Sequence, residues 1–181
     1  MPQSKTGFLL TGRPGCGKTT LIRRLVEALG VPAGGFYTEE IRRSGRREGF
    51  ALITLDGQTA TLASVHTPSR RRVSKYGVDL EAIDEVGAPA IERATAGAAL
   101  VVIDEIGKME LFSNRFRQAV LSALESGKPL LGTIMLAPHA WADAIKARPE
   151  VEVVLLTEAN RSQVENDLLV RLRDRLRTTS V

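Results

Sequence analysis

One short stretch near the start of the chain limits its fold more than any other feature. Residues 12–20 read GRPGCGKTT, in which the pattern G-x-x-x-x-G-K-[ST] is filled by Gly12, Gly17, Lys18 and Thr19. The apolar run GFLLT precedes the loop, and TTLIRRLVEALG follows it with apolar residues at helical spacing. A strand, a glycine loop and a helix in this order predict backbone N–H groups and a helix terminus that converge on phosphate groups.

The loop supplies the first set of candidate site residues. Its glycines let the backbone approach phosphate closely without Cβ clashes. Lys18 is predicted to bridge the β and γ phosphates as a catalytic residue, and the Thr19 hydroxyl is predicted to bind Mg²⁺. Cys16, the only cysteine, is predicted to fill space, because one thiol has no resolving partner. The nucleotide-binding candidates here are Gly12, Arg13, Pro14, Gly15, Cys16, Gly17, Lys18, Thr19 and Thr20.

A second set follows the apolar run LVVI, residues 100–103. An acid after an apolar strand is the Walker B pattern, so Asp104 is predicted to bind Mg²⁺, through water because that ion gives up its hydration reluctantly. Glu105 is predicted to orient and activate an attacking water, which makes it the second catalytic candidate. The nucleotide-binding candidates here are Val102, Ile103, Asp104, Glu105, Ile106, Gly107 and Lys108.

Strand-like and helix-like segments alternate along the rest of the chain. Strands are predicted for GGFYTEEI, ALVVIDEIG, PLLGTIML and VEVVLLT, and helices for SNRFRQAVLSALESG and residues 162–177. Residues 79–94 are predicted to form a helix that is broken or restarted near Gly87 and Pro89. Such alternation favours a mainly parallel sheet covered on both faces.

One region interrupts this alternation. Two β-rich runs around Asp56 and Gly57 predict an antiparallel β-hairpin excursion at about residues 45–66. The length of 181 residues fits one core. We therefore predict an α/β fold of three layers, the P-loop type, as a single domain over residues 1–181, with the hairpin as an excursion from its central sheet.

Composition and charge limit the classes of partner. The net charge is +4, and arginine runs lie at residues 42–47 and 70–72, where they could contact phosphates or form solvated loops. Aromatic residues are only 4% of the chain, so stacking platforms for a nucleic acid are not expected. No run approaches the roughly 18 apolar residues of a membrane span, and residues 1–6 are polar, so a cytoplasmic protein without a membrane partner is predicted. The sequence indicates no particular protein partner.

Five segments carry a resemblance to a known family. With GRPGCGKTT, GGFYTEEIR, the R-x-G-F of Arg47 to Phe50, VVIDEIGKMEL and TEANR in this order, the chain resembles the small P-loop enzymes known as the cancer-related nucleoside-triphosphatase family over nearly its whole length. The resemblance implies a RecA-like, kinase-like sheet of the additional-strand, catalytic-glutamate class. It also implies Mg²⁺-dependent hydrolysis of ATP, GTP, CTP, UTP and TTP to diphosphate and phosphate with little base preference.

The resemblance also implies roles for single residues. It puts residues 12–19 on the phosphates, Asp104 on Mg²⁺ and Glu105 behind the attacking water. By the same resemblance, Lys108 contacts phosphate or anchors Glu110. The late N-R pair, Asn160 and Arg161, flanks the base or the γ-phosphate. Thr133, at the end of the run PLLGT, is a candidate sensor of the γ-phosphate or a core residue, and the candidate arginine fingers are Arg47, Arg161 and an arginine of a partner.

The motifs leave alternative functions open. Asp104 to Gly107 also reads D-x-x-G, but no N-K-x-D accompanies it and no L-S-G-G-Q occurs, which argues against a GTPase switch and an ABC-type ATPase. A nucleotide or small-metabolite kinase uses the same loop, with the basic region from Arg42 to Arg72 as its lid. A nucleotide-gated binding or signalling module is the third possibility. Glu105, directly after the Walker B acid, favours water as the acceptor.

Overall fold

A twisted sheet of nine strands runs through the part of the chain that the computed structural model describes, residues 4–179. The strands are β1 (Gly7–Thr11), β2 (Ala33–Arg43), β3 (Arg46–Thr54), β4 (Thr59–Ser64), β5 (Arg72–Val73), β6 (Tyr76–Val78), β7 (Leu100–Ile106), β8 (Leu130–Ile134) and β9 (Val151–Leu155). Their order in the sheet is β5-β6-β4-β3-β2-β7-β8-β1-β9.

The sheet has a parallel half and an antiparallel half. Strands β2, β7, β8, β1 and β9 are parallel neighbours, whereas β3, β4, β6 and β5 continue the sheet from β2 in antiparallel pairs. The turn between β3 and β4 contains Gly57, whose φ is 95°, the left-handed value that this predicted hairpin turn needs. The α/β prediction with a mainly parallel sheet and an antiparallel excursion is confirmed.

Helices cover both faces of the parallel half. They are α1 (Lys18–Leu29), α2 (Leu80–Ala82), α3 (Ala88–Gly97), α4 (Asn114–Glu125), α5 (Ala140–Lys146) and α6 (Arg161–Thr179). On one face, α1 and α6 pack against Phe8, Leu10 and Val102; on the other, α3 and α4 pack against Phe36 and Ile103. Burial of each such side chain stabilises the fold by about 1.5–3 kcal/mol. Alternate residues of β7 therefore enter two separate cores, which fixes the strand in the middle of the sheet.

The carboxyl ends of the parallel strands form the edge at which the site lies. Leu10 of β1 pairs with Thr133 of β8, and Ile103 of β7 pairs with Gly132 of β8. The glycine loop after β1, the acids of β7 and Thr133 are thus brought to one edge of the sheet. Ligands of open α/β sheets bind at this edge.

Several elements differ from their sequence-based predictions. The antiparallel region extends to Val78, because β5 and β6 add a second short pair beyond the predicted hairpin. The predicted break near Gly87 is a π-helical segment, Ile83–Gly87, that joins α2 to α3 without interruption, and Pro89, which has no N–H to donate, lies just after this segment. Helix α5 was not predicted, and its seven residues are too few to show a clear period.

Two predictions include residues at the ends of the chain that the structure does not describe. The predicted domain 1–181 and the polar segment 1–6 include residues 1–3 and 180–181, which lie outside the described residues. Among the helices of residues 4–179, none is both long and apolar enough to cross a bilayer.

Candidate functional site

The loop between β1 and α1 packs tightly against the segment that follows β9. A Cβ atom on Gly12 would lie 2.6 Å from the Leu156 carbonyl oxygen, so no other residue fits that position without moving the backbone. Gly17, with φ 94°, occupies the N-cap of α1 and turns the chain into the helix. The first N–H groups of α1 therefore face the same side as the loop amides.

Lys18 lies across the loop that it ends. Its Nζ donates hydrogen bonds to the carbonyl oxygens of Gly12 at 2.9 Å and Arg13 at 3.1 Å, and it lies 3.9 Å from the Cys16 sulfur. Cys16 is only 8% exposed and belongs to the core beneath the loop. The ammonium charge is thus held where the loop backbone would surround a phosphate chain.

Arg161 packs against the phosphate loop and donates a hydrogen bond to its backbone. Its Nη2 donates a hydrogen bond to the Cys16 carbonyl oxygen at 2.9 Å, and its guanidinium lies so close to Gly17 that a Cβ there would meet Cζ at 3.1 Å. The Nε atom is buried without a hydrogen-bond partner among the described residues. Because the contacts go to backbone atoms of the loop, the side chain supports the loop's shape.

The turn before Arg161 is fixed by Asn160. The Asn160 side chain accepts a hydrogen bond from the Thr157 N–H at 2.8 Å and donates one to the Leu155 carbonyl oxygen at 2.8 Å. The Thr157 hydroxyl in turn accepts from the Asn160 N–H at 3.2 Å. This reciprocal turn places the first residue of α6 against the phosphate loop. The late N-R pair therefore works as one unit, with Asn160 shaping the turn and Arg161 reaching the loop.

Asp104 is a buried carboxylate with one oxygen to spare. It is 2% exposed, and its Oδ1 accepts a hydrogen bond from the Thr133 hydroxyl at 2.7 Å, while its Oδ2 is buried without a partner among the described residues. Burial raises the pKa of Asp104, and the Thr19 and Thr133 hydroxyls and the Lys18 ammonium oppose the rise. A buried oxygen of this kind needs a cation or a donor.

This donor set fits Mg²⁺. The ion prefers oxygen ligands and keeps several waters, so one carboxylate and one hydroxyl from the protein are enough when substrate phosphates complete its shell. The free Oδ2 of Asp104 and the hydroxyl of Thr19, both at the phosphate loop, are oxygen ligands of this type. The predicted metal-binding residues are therefore compatible with the ion.

Glu105 follows Asp104 at the same edge. The peptide bond that joins the two residues is cis, and the register between β7 and β8 shifts between Ile103 and Ile106. Burial and the neighbouring Asp104 carboxylate raise the pKa of Glu105, and the Lys18 ammonium opposes the rise. A carboxylate whose pKa is raised toward neutrality is a better proton acceptor than an ordinary surface glutamate.

A third acid, Glu110, lies behind Glu105. A Cβ on Gly107 would lie 2.5 Å from Glu105 Oε1 and 3.0 Å from Glu110 Oε2, so the two carboxyl groups flank this glycine. Glu110 is 4% exposed, and burial together with Glu105 raises its pKa well above the ordinary value. The sequence predicts Glu110 only as a possible partner of Lys108, because an acid in a short 3-10 helix has no motif spacing.

Arg23 is the functional candidate that sequence analysis missed altogether. Its guanidinium pairs with Glu39, lies 4.6 Å from the centre of the Tyr37 ring and is close enough to Asp104 to lower the pKa of that acid. Its Nε is buried without a partner among the described residues. Arg23 follows Thr19 by four positions, so helical spacing alone would have placed both side chains on the same face of α1.

Known proteins are similar in sequence to this chain over most of its length. Residues 7–169 match the family model described as NTPase. The Nucleoside-triphosphatase THEP1 of Thermotoga maritima is 45% identical over 162 residues, which cover 90% of this chain and 92% of that protein. The chain belongs to the nucleoside-triphosphatase family. The prediction of family membership from the five sequence segments is confirmed, and with it the prediction of an enzyme of the nucleoside-triphosphatase class.

Other family members agree in sequence and in fold. The Cancer-related nucleoside-triphosphatase of Homo sapiens is 43% identical over 176 residues, covering 88% of this chain and 93% of that protein. The crystal structure of THEP1 from Aquifex aeolicus superposes with a TM-score of 0.84 at 37% identity, covering 92% of this chain and 98% of that one. The solution structure of the human protein gives 0.79 at 40% identity, covering 94% and 98%.

Some predicted nucleotide-binding residues of the family motif cannot contact a ligand through their side chains. Val102, Ile103 and Ile106 are each 0% exposed and pack in the two cores, so their contribution is to hold Asp104 and Glu105 at the sheet edge. Lys108 is exposed, and within the described residues no hydrogen bond or ion pair links it to Glu110. The remaining candidates, Arg13, Pro14, Gly15 and Thr20, lie exposed at the loop and the start of α1.

Arg47 lies far from the phosphate loop. Phe36 of β2 pairs with Ile103, and Arg42, six positions further along β2, pairs with Arg47, which places Arg47 about 20 Å beyond the level of Ile103 at the usual strand rise. Its Nη1 binds Glu40 Oε1 at 2.9 Å and its Nε donates to the Tyr76 hydroxyl at 3.0 Å. The structure therefore does not support Arg47 as an arginine finger acting within its own chain.

Proposed function

We propose that the protein is a Mg²⁺-dependent nucleoside triphosphatase that converts nucleoside triphosphates to diphosphates and inorganic phosphate. The observation that supports this best is the pair of consecutive acids, the buried Asp104 and the partly buried Glu105, at the sheet edge that also carries the phosphate loop. One acid has a free oxygen for a cation, and the other has a raised pKa suited to accept a proton. A hydrolase needs both functions at one place.

The phosphate loop binds the substrate in this proposal. Backbone N–H groups of residues 12–19 and the N-terminus of α1 surround the phosphates, and Lys18 moves from the carbonyls of Gly12 and Arg13 to the β and γ phosphates. Its charge stabilises the negative charge that develops as the γ-phosphoryl group is transferred. Arg161 and Asn160 act indirectly, because they hold the loop in the shape that binds phosphate.

Asp104 and the Thr19 hydroxyl hold Mg²⁺ together with the substrate. When bound by these residues, Mg²⁺ would supply positive charge that neutralises the phosphates of the substrate. Thr133 keeps Asp104 in place through its hydrogen bond to Oδ1, which leaves Oδ2 directed to the cation or to its waters. The role of Thr133 is therefore to orient a metal ligand.

Glu105 activates the attacking water. Its carboxylate accepts a proton from the water while the water oxygen forms a bond to the γ-phosphorus, and the bond from that phosphorus to the bridging oxygen of the diphosphate breaks. The products are a nucleoside diphosphate and inorganic phosphate. Burial beside Asp104 keeps the pKa of Glu105 raised, so that it can take the proton and later release it to solvent.

Base preference in this proposal is low, and the location is the cytoplasm. The substrates are ATP, GTP, CTP, UTP and TTP, which agrees with the missing guanine-specific N-K-x-D pattern. Every contact assigned above is to phosphate, to Mg²⁺ or to water, and none is to a base.

Product analysis tests the proposal against a kinase that uses the same loop. The protein is incubated with Mg²⁺ and each of the five triphosphates, with and without a panel of nucleoside monophosphates and small alcohols. We expect inorganic phosphate from all five substrates at rates that the acceptors do not change. Transfer of the γ-phosphate to an acceptor, with little free phosphate, would replace the hydrolase by a kinase; absence of both products would leave a nucleotide-gated binding module.

A further inference from the structure

The strongly basic end of the antiparallel half carries an inference that does not depend on the proposed function. We propose that this end forms a second anion site, separate from the phosphate loop, which binds a short chain of phosphates. The site is the groove lined by Arg42, Arg46, Arg47, Ser74, Lys75 and Tyr76, called the basic groove below. Its volume is about 470 Å³, which is within the usual range for small-ligand sites, roughly 300–1,000 Å³.

Charge is distributed unevenly along the chain. Residues 40–75, the basic arm, hold eight of the 25 Lys and Arg residues but only three of the 21 Asp and Glu residues. The basic arm therefore carries a formal charge of +5, while the rest of the chain carries −1. The positive charge of the protein is thus a property of this one region, where it raises the local concentration of anions.

The cations of the basic groove come from two separate turns. Ser44, in the turn between β2 and β3, has φ 49°, and Ser74, in the turn between β5 and β6, has φ 55°. Arg46 follows the first turn, and Lys75 lies in the second. Four cationic residues and no acid line the groove that the two turns enclose. Cations that converge on a concave surface suit a compact anion with several charges.

A hydrogen-bonded network anchored on the buried Tyr76 fixes one wall of the basic groove. The Tyr76 hydroxyl accepts a hydrogen bond from Arg47, and Tyr76 itself is only 4% exposed, packed edge-on against Phe50. Arg47 and Arg42 also share the carboxylate of Glu40. These contacts hold two guanidinium groups in place before any ligand binds, which lowers the entropy that binding must overcome.

The other two cations of the basic groove, Arg46 and Lys75, are not paired with a carboxylate in the described part of the chain. Within the described residues, the guanidinium of Arg46 has no hydrogen-bond or ion-pair partner, and the residue is exposed. The Lys75 ammonium lies 5.6 Å from the centre of the Tyr76 ring and likewise has no carboxylate partner in the described part of the chain. Glu40 thus pairs with two of the four cations, and the excess of three positive charges matches an anion of two or more charges.

Position separates the basic groove from the phosphate loop. Arg47 lies about 20 Å along the strands from the level of Ile103, as the pairing through β2 shows. One short ligand therefore cannot occupy both places at once. The groove also lacks an exposed aromatic ring for base stacking, since Tyr76 is buried, which favours a phosphate chain over a single-stranded nucleic acid.

Calorimetry with inorganic tripolyphosphate tests the proposal. The full chain is first saturated with ADP, so that the phosphate loop is filled, and tripolyphosphate is then titrated at low ionic strength. We expect one saturable binding event that weakens with added salt. Charge reversal in Arg46→Glu should weaken it about tenfold or more, since one opposite charge becomes a like charge within contact distance. The matched control, Arg177→Glu on α6, makes the same change in net charge at another exposed arginine and should change the affinity less than twofold.

Other results of these titrations would overturn the proposal or identify the ligand more closely. No saturable binding to the ADP-saturated protein, or equal weakening by Arg46→Glu and Arg177→Glu, would overturn the proposal. A 20-base-pair DNA duplex that binds through Arg46 and that tripolyphosphate cannot displace would also overturn it, in favour of a nucleic acid. Titration of ADP past one equivalent shows whether the phosphate chain that binds is part of a nucleotide or a free oligophosphate. A second ADP event lost in Arg46→Glu identifies a nucleotide tail, and its absence identifies a free oligophosphate.

Discussion

The phosphate loop and the basic groove both present positive charge to an anion, but they are built from different groups. In the loop, backbone N–H groups and the single ammonium of Lys18 are held by tight packing against Leu156 and Arg161. In the basic groove, four long side chains supply the charge from the surface. A site made of backbone demands particular residues at particular spacings, whereas a site made of surface charge demands only enough cations in one place.

The two regions also differ in what shifts the pKa values of their acidic residues. At the phosphate loop, Asp104 and Glu110 are 2% and 4% exposed, so burial dominates their pKa values. In the basic arm, Glu40 is exposed, and hydrogen bonds from Arg47 and Arg42 lower its pKa. Electrostatic effects are strong in a buried site and weak at the surface. Single substitutions should therefore change the first region far more than the second.

Among the substitutions outside the acid pair Asp104 and Glu105, Lys18→Ala is expected to have the largest effect. Removal of the ammonium takes away the charge predicted to contact the β and γ phosphates, and preorganised groups of this kind contribute about 10²–10³ in kcat. Steady-state phosphate release and nucleotide binding by calorimetry measure the loss. The matched control is Lys146→Ala, a partly exposed, ion-paired lysine of α5, which should stay within about twofold of the wild type because surface pairs contribute little. Equal activity of Lys18→Ala and the wild type would remove the loop from catalysis.

Arg161→Lys should have an intermediate effect that appears in KM. Lysine keeps the charge but cannot place a flat group on Gly17 while donating to Cys16, so the loop loses its support. Loss of one such hydrogen bond is worth about 1 kcal/mol, which corresponds to a rise of roughly fivefold in KM with little change in kcat. Arg173→Lys, at an exposed position of the same helix, serves as the control. A large fall in kcat at constant KM would instead make Arg161 an arginine finger.

Glu110→Gln should have the smallest effect and should act on stability. Burial raises the pKa of Glu110, so the folded protein keeps a proton that the unfolded chain releases above its ordinary pKa near 4.5. The stabilisation from this proton is complete below that value and is lost as the pH rises through the raised pKa. Urea unfolding at pH 5 and pH 8 should show that Glu110→Gln gains about 1 kcal/mol on the wild type over this interval. Glu125→Gln, an exposed acid of α4, should show no such gain; a gain of equal size in both variants would contradict the assignment to burial.

The comparison also explains which features the sequence could predict. The phosphate loop could be predicted from the spacing of neighbouring residues, because its glycines and Lys18 act through backbone positions a few residues apart. The acids of β7 follow an apolar run that only a central strand needs. Their catalytic roles stay predictions, while their meeting at one sheet edge is seen in the structure.

Features that arise only when the chain folds could not be predicted from the spacing of residues in the sequence. Glu110 meets Glu105 across Gly107 through a turn that no motif encodes. The burial of Val102 and Ile106 follows from helices packed on both faces of β7. The extent of the antiparallel half was underestimated, because β5 and β6 have two and three residues and show no alternation of polar and apolar positions.

The direct test of the central claim is a comparison of Glu105→Gln with the wild type in phosphate release and in nucleotide binding. The substitution keeps the shape of the side chain and removes the carboxylate that would accept the proton of water. We predict unchanged nucleotide affinity within about threefold and a fall in kcat of about 10²–10⁴, the usual contribution of a general base. A variant that binds nucleotide and releases phosphate as fast as the wild type would contradict the account, because another group would then activate the water.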